Sequence, residues 1–284
     1  MCDDASLQGR METVLAVGHT MGALLYALGG ILLVPMLVGA VAGEPHVPLL
    51  VGFGSAASVS VALGFVLRLG PKPRPLGEVR AMLVCGLAWI VLSAIGAIPL
   101  WVLLSTGYLD AVFEMISGFT TTGITMYAGL DEMPASVLFW RNWTQWFGGL
   151  GILTMYMVLT GQPAHVLAGA EAHKIAAARP RPGLANTLRA LWIVYVGLSI
   201  LVLVGLLVGG VDPFEAVNHA FTTVSTGGFS THDASIAFYR RGEYSPIIIE
   251  WVVILGMFGG GTSFLVHYQT LKGCPSAWWS PSPT

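Results

Sequence analysis

Two short polar segments carry the residues best able to do chemistry. SGFTTTGITMY runs from Ser117 to Tyr127, and TVSTGGFSTHD runs from Thr223 to Asp233. Both lie between long apolar stretches and are rich in threonine and glycine. Neither holds a carboxylate among its Thr/Gly residues. In such a loop, backbone carbonyls and hydroxyls can replace the water shell of a permeating cation, and glycine permits the backbone angles that turn successive carbonyls towards one axis. Fixed carboxylates would hold a divalent ion tightly, whereas neutral dipoles suit a monovalent ion that must leave again. The candidate ligands are Thr121, Thr122 and Gly123 with Thr226, Gly227 and Gly228. Taken alone, TTTG reads as an ordinary turn; its duplication and setting turn the reading into a pore.

The duplication appears when Asp110 is laid on Glu215. DAVFEMISGFTTTGIT then runs without a gap against EAVNHAFTTVSTGGFS and pairs Gly123 with Gly228. The segments ahead of the loops, 110–121 and 213–225, are too short to cross a bilayer but allow three helical turns. Asp110 and Asp212-Pro213 suit their starts. Re-entrant half-helices are expected, each aiming its negative C-terminal end at its loop. Non-helical backbone at membrane depth persists only where it lines water or is buried in protein.

The elements that must position these loops follow from composition. Of the 284 residues 55% are hydrophobic and only 10% are charged, with a mean hydropathy of +0.74, so the chain is an integral membrane protein. Apolar runs near the roughly 20 residues needed to cross a bilayer fall at 15–42, 47–67, 80–104, 136–160, 186–210 and 245–270. The expected fold is all-α, with six transmembrane helices and two re-entrant loops. The acidic N-terminus does not resemble a cleavable signal. Arg68, Lys72, Arg74 and Arg80, and then Lys174, Arg179, Arg181 and Arg189, mark two cytoplasmic loops by the positive-inside rule. Glu44, Asp110, Asp131, Glu132, Asp212, Glu215 and Asp233 then lie outside, where Arg240 and Arg241 are exceptions. Both termini are cytoplasmic. Cys2, Cys85 and Cys274 show no metal or redox spacing, and no basic stripe suggests nucleic acid.

DAVFEMISGFTTTGIT, FWRNWTQWFGGLGI at 139–152 and TTVSTGGFSTHDASI at 222–236 resemble the membrane subunit of the Trk/Ktr-type potassium uptake systems. The resemblance covers about 78–272. It implies potassium-channel-like repeats of outer helix, pore helix, filter loop and inner helix, four to a pore, with one central glycine per loop. Gly123 and Gly228 hold that position. The domains expected are an N-terminal helix pair at 1–70, a first repeat at 71–165, a cytoplasmic linker at 166–184, a second repeat at 185–272 and a non-family tail at 273–284. The resemblance implies potassium uptake across a bacterial inner membrane, potassium being the substrate and no covalent cofactor being needed. A peripheral cytoplasmic nucleotide-binding regulatory subunit would dock at the linker. The chain carries two repeats of four, so a truncated gene is one expectation, and a homodimer would complete the ring. The alternative is a non-conducting fragment that only binds partner subunits. Proton or sodium coupling and channel-like movement stay open.

Other residues have plainer expectations. Gly259, Gly260 and Gly261 suggest a break or flexible segment and are a candidate gate, although the resemblance puts the family's glycine-rich gate in a later repeat. Gly148, Gly149 and Gly151 suggest close helix packing. Arg141 is expected to form a structural ion pair with Glu114 or an external acid. Trp140, Trp143 and Trp146 mark the interface or brace the pore helix. Ser230, His232 and Asp233 invite a hydrolase reading, but no nucleophile elbow surrounds them, and the chain is not expected to be an enzyme.

Overall fold

The computed structural model describes residues 2–69, 78–160, 184–271 and 273. Among them every regular element is helical, as expected where backbone groups must satisfy one another without water. Helix α1 (Cys2–Ile31) is followed by α2 (Leu33–Val41) after a break at Leu32. Pro35 cannot donate to the carbonyl one turn back and crowds it, which explains the break. Helices α3 (His46–Leu49) and α4 (Ser55–Arg68) are joined through a π-helical turn, Leu50–Gly54. Helix α5 (Glu78–Gly96) gives way at Ala97 to α6 (Ile98–Leu104), which carries Pro99 in its first turn. Then come α7 (Tyr108–Phe119), α8 (Ala135–Thr160), α9 (Leu184–Val208), α10 (Pro213–Val224), α11 (Pro246–Gly261) and α12 (Phe264–Leu271).

Among the described residues four stretches are long and apolar enough to cross a membrane: Met11–Val41, His46–Leu67, Ala81–Leu104 and Leu188–Val208. The other two expected spans differ in instructive ways. Helix α8 has 26 residues, but Arg141, Asn142, Thr144 and Gln145 lower its apolarity. The run 245–270 is interrupted at Thr262 and Ser263, so α11 is a shorter apolar helix of 16 residues. Side chains turned outwards are apolar: Leu201 on α9 is 68% exposed, and Ile200, Val204 and Val208 are exposed with it. Such a surface needs lipid against it. The basic residues Lys72, Arg74, Lys174, Arg179 and Arg181 lie outside the described residues, as do most of the expected linker and the tail beyond Gly273.

The chain divides into two compact units. The first comprises Met1–Thr120, Ile124–Tyr127 and Glu132–Arg141. The second comprises Thr121–Gly123, Ala128–Asp131 and Asn142–Thr284. In the first, α1 packs along α4 on small residues. A Cβ on Gly22 would press on the Gly64 carbonyl, and one on Gly64 would press on the Gly22 carbonyl. Beside them the Ser60 hydroxyl donates to the Leu25 carbonyl at 2.7 Å. Close backbone approach and an interhelical hydrogen bond are how helices associate where lipid removes the hydrophobic drive. In the same unit Glu44 receives the backbone N–H of Ser136 at 2.8 Å and its hydroxyl at 2.6 Å, placing a carboxylate on the positive end of α8. The second unit is built around Leu150, Tyr195, Leu206, Ala220, Val224 and Ile249, all buried.

Candidate functional site

Helices α7 and α10 have 12 residues each. They start at Tyr108 and Pro213, the same offset that pairs Asp110 with Glu215. Asp212 caps α10, its carboxylate accepting from the Phe214 N–H at 2.9 Å, with Pro213 in the first turn. Asp110 does not play that part. Helix α7 begins earlier than expected, after Gly107 and without a side-chain cap, so Asp110 lies inside the first turn. Its charge still faces the positive helix end.

Both half-helices hand over to their loops through a threonine in the left-handed region. Thr121 has φ 54° and Thr226 has φ 56°. In the second loop the Thr226 N–H donates to Thr223 O at 3.0 Å and the Gly227 N–H to Thr222 O at 2.9 Å. Glycine usually closes a helix in this way. A β-branched residue there costs on the order of 1–2 kcal/mol. Two residues on, Gly123 and Gly228 are again positive, at 78° and 87°. Thr122 and Gly227, between them, are not among the positive-φ residues, so φ changes sign at each step in both loops. The loops also meet: a Cβ on Gly123 would collide with the Gly227 carbonyl oxygen, while one on Gly228 would find open space. Thus Thr121, Thr122 and Gly123 are brought to Thr226, Gly227 and Gly228 within one unit.

Buried polar side chains hold the backbone on the far side of each glycine. In the first unit Glu114 of α7 receives Arg141 Nε at 2.8 Å and Nη2 at 2.6 Å. The pair is fully buried. The same carboxylate accepts from the Thr125 hydroxyl at 2.9 Å and the Met126 N–H at 2.9 Å. In the second unit the matching position on α10 is His219, and its Nε2 lies 3.3 Å from the Thr231 hydroxyl. Met126 and Thr231 are themselves matched, so one contact recurs with different chemistry. From α8, Gln145 Oε1 accepts from the Phe229 N–H at 3.1 Å. Nearby, Asn142 donates to Asn218 at 3.0 Å, and Asn218 donates to the Phe214 carbonyl at 2.8 Å.

STHDAS is a structural clasp and not a relay. Asp233 accepts from the N–H groups of Gly129 and Leu130 at 2.9–3.2 Å, and Ser230 Oγ receives the His232 N–H at 3.0 Å. The His232 ring lies between two carboxylates, Nδ1 on Asp131 at 2.5 Å and Nε2 on Glu215 at 2.7 Å, and stacks on Phe238. The hydrogen bond to His232 holds the Asp131 carboxyl below the usual range.

Within the glycine runs, Gly149 and Gly260 sit at close approaches. Helix α11 continues through Gly259, Gly260 and Gly261 and ends at Thr262, so the expected break falls beyond them. A Cβ on Gly260 would collide with the Val224 carbonyl, the last residue of α10; Gly261 has open space. Gly149 faces the Tyr195 hydroxyl and Ser225. Trp140 donates to the Gly96 carbonyl at 2.9 Å and meets Phe119 of α7 edge-on. Trp146 contacts Phe221 of α10, and Trp143 contacts Phe147.

Sequence reasoning missed Gln145, the Asn142–Asn218 pair and the carboxylates around His232. Polar residues inside a membrane-length helix were the available signal for the first two.

Comparison with known proteins agrees with this architecture. The pattern of the family described as "TrkH: Cation transport protein" matches residues 73–274. The Trk system potassium uptake protein TrkH of Escherichia coli (strain K12) is 32% identical over an alignment of 273 residues that covers 91% of this chain and 53% of that protein. An uncharacterized cation transporter of Methanocaldococcus jannaschii is 32% identical over 259 residues, 90% of this chain and 52% of that protein. The crystal structure of the potassium transporter TrkH from Vibrio parahaemolyticus is similar with a TM-score of 0.76 and 28% identity, over 95% of this chain and 54% of that one. The chain spans about half the length of the curated relatives it matches, and the similarity extends across the N-terminal helices. These relatives are transport proteins, and the family is not enzymatic. From its repeated half-helices to its matched sequence, this chain belongs to the TrkH family of cation transport proteins.

Proposed function

We propose that the chain takes part in potassium uptake across a bacterial inner membrane, with Thr121, Thr122, Gly123, Thr226, Gly227 and Gly228 supplying part of a selectivity filter. The observation that carries this is the sign change of φ at successive residues in both loops. A regular strand points successive carbonyls in opposite directions, whereas alternating handedness lets them share one direction and replace an ion's water shell. Potassium as the ion comes from the named relatives, the Trk system potassium uptake proteins. In this reading α7 and α10 are re-entrant, six segments span the membrane, and both termini are cytoplasmic. The domain division is an N-terminal helix pair followed by two channel-like repeats.

Two loops provide about half of the oxygen ring that a stripped ion needs. Two further such units complete it, and a second copy of this chain is one source. The basic segment 166–184 is the docking place for a peripheral nucleotide-binding regulatory subunit. Arg141 and Glu114 form a structural pair, and Gly259, Gly260 and Gly261, at the end of α11 where Gly260 packs on the last residue of α10, are the candidate gate.

The test is rubidium uptake by cells that lack their own potassium transporters and express the protein containing this chain. Uptake suppressed by potassium at far lower concentration than by sodium is expected. Equal suppression by the two ions would remove the filter assignment.

A further inference from the structure

We infer that Gln145 is a positioning residue that sets the ion selectivity of the second loop, an inference that rests on the potassium-uptake reading above. Gln145 sits in α8 and is fully buried. Its Oε1 accepts from the N–H of Phe229, the residue after Gly228, at 3.1 Å. The peptide joining Gly228 to Phe229 is planar and trans, so its N–H and its carbonyl point in opposite directions. Fixing the Phe229 N–H on Gln145 therefore aims the Gly228 carbonyl away from α8. That carbonyl is a candidate ligand, and Gln145 determines which way it faces without touching the ion.

Two further observations belong to the same arrangement. Gly227 has no positive φ, so its backbone does not demand glycine. A Cβ there would run into Oε1, Cδ and Nε2 of Gln145, so the carboxamide fills the place a side chain would occupy. Gln145 Nε2 is also buried without a hydrogen-bond partner among the described residues. An apolar side chain of the same length would fill the volume without leaving a buried donor unsatisfied. Packing alone does not call for glutamine here; an acceptor for the Phe229 N–H does. The contact the two copies share is a different one, Glu114 on Met126 in the first and His219 on Thr231 in the second, so the brace of Gln145 on Phe229 is separate from it.

The experiment measures how strongly potassium and sodium each suppress rubidium uptake, as a ratio taken on the same membranes and therefore independent of protein amount. Gln145→Met removes the acceptor at similar length, and Gln145→Glu keeps it. Gln145→Met is expected to lower potassium-over-sodium discrimination about three- to tenfold, the size of one lost hydrogen bond, while Gln145→Glu stays near wild type. Gly227→Ala approaches the same peptide from the other side, since its methyl displaces the carboxamide, and should fall as Gln145→Met does. A wild-type ratio in Gln145→Met or Gly227→Ala, or an equal fall in Gln145→Glu, would overturn the inference. Wild-type protein that takes up rubidium without discrimination would instead overturn the transport reading on which it rests.

Discussion

At Gly123 and Gly228 the same residue type meets two different constraints. Both have positive φ, which strains any side chain, but only Gly123 faces a backbone oxygen where its Cβ would be. Alanine at 123 must push Gly227 aside, whereas alanine at 228 bears the backbone strain alone. We expect Gly123→Ala to abolish rubidium uptake and Gly228→Ala to retain uptake with weaker preference for potassium. Equal uptake by both variants would show that the contact with Gly227 is unimportant. A second residue-scale prediction concerns Asp131, whose carboxyl is held low first by its hydrogen bond to His232 and then by the Asp233 N–H. A depressed carboxylate contributes stability that is present above its unfolded pKa, near 4, and is lost as pH falls through its folded value. Asp131→Asn should therefore lower the melting temperature of detergent-purified protein at neutral pH, with the difference from wild type shrinking as pH falls below about 4. A difference that grows in acid would contradict the sign.

Among the elements, the sharpest contrast lies within one helix. Gly260 of α11 packs on the last carbonyl of α10, and Gly261 faces open space. Gly260→Ala should force the two helices apart and lower thermal stability, on the 1–3 kcal/mol scale of overpacked sites. Gly261→Ala should be tolerated. Melting in detergent distinguishes them, and equal effects would mean that helix flexibility and not approach is what the glycines provide. Three adjacent glycines cannot declare in sequence which of these reasons applies, because packing neighbours lie far along the chain; hence the expected break at 259–261 falls instead at Thr262. The half-helices are legible for the opposite reason. Proline after aspartate, a short apolar segment and a polar loop are all local signals, and they locate α10 closely. Helix α7 lacks the proline, and its start is misjudged accordingly. The threonines that close both helices are illegible, since preference tables assign that place to glycine. Gln145 is legible only in part: the polar residues Arg141, Asn142, Thr144 and Gln145 stand out in α8, but nothing local tells that the partner of Gln145 is Phe229.

For the whole molecule, the governing fact is that two loops meet within one unit while an ion requires oxygens on every side. Residues 1–284 isolated as a single copy should give no rubidium uptake in reconstituted vesicles, and uptake should appear only in particles whose mass admits a second set of loops. Uptake from a demonstrated monomer would contradict the half-ring. The two copies also share a backbone path more closely than they share side chains. Handedness recurs at Ser105 and Gly210, at Thr121 and Thr226, and at Gly123 and Gly228, while Glu114 is matched by His219. As spare parts, then, the loops are interchangeable in one direction only, and the helices that lead into them in neither. Giving the first loop the second's sequence needs Thr122→Gly, which removes a side chain. The reverse exchange, Gly227→Thr, drives one into Gln145, and a transplanted α10 would leave Arg141 facing an imidazole in place of its carboxylate.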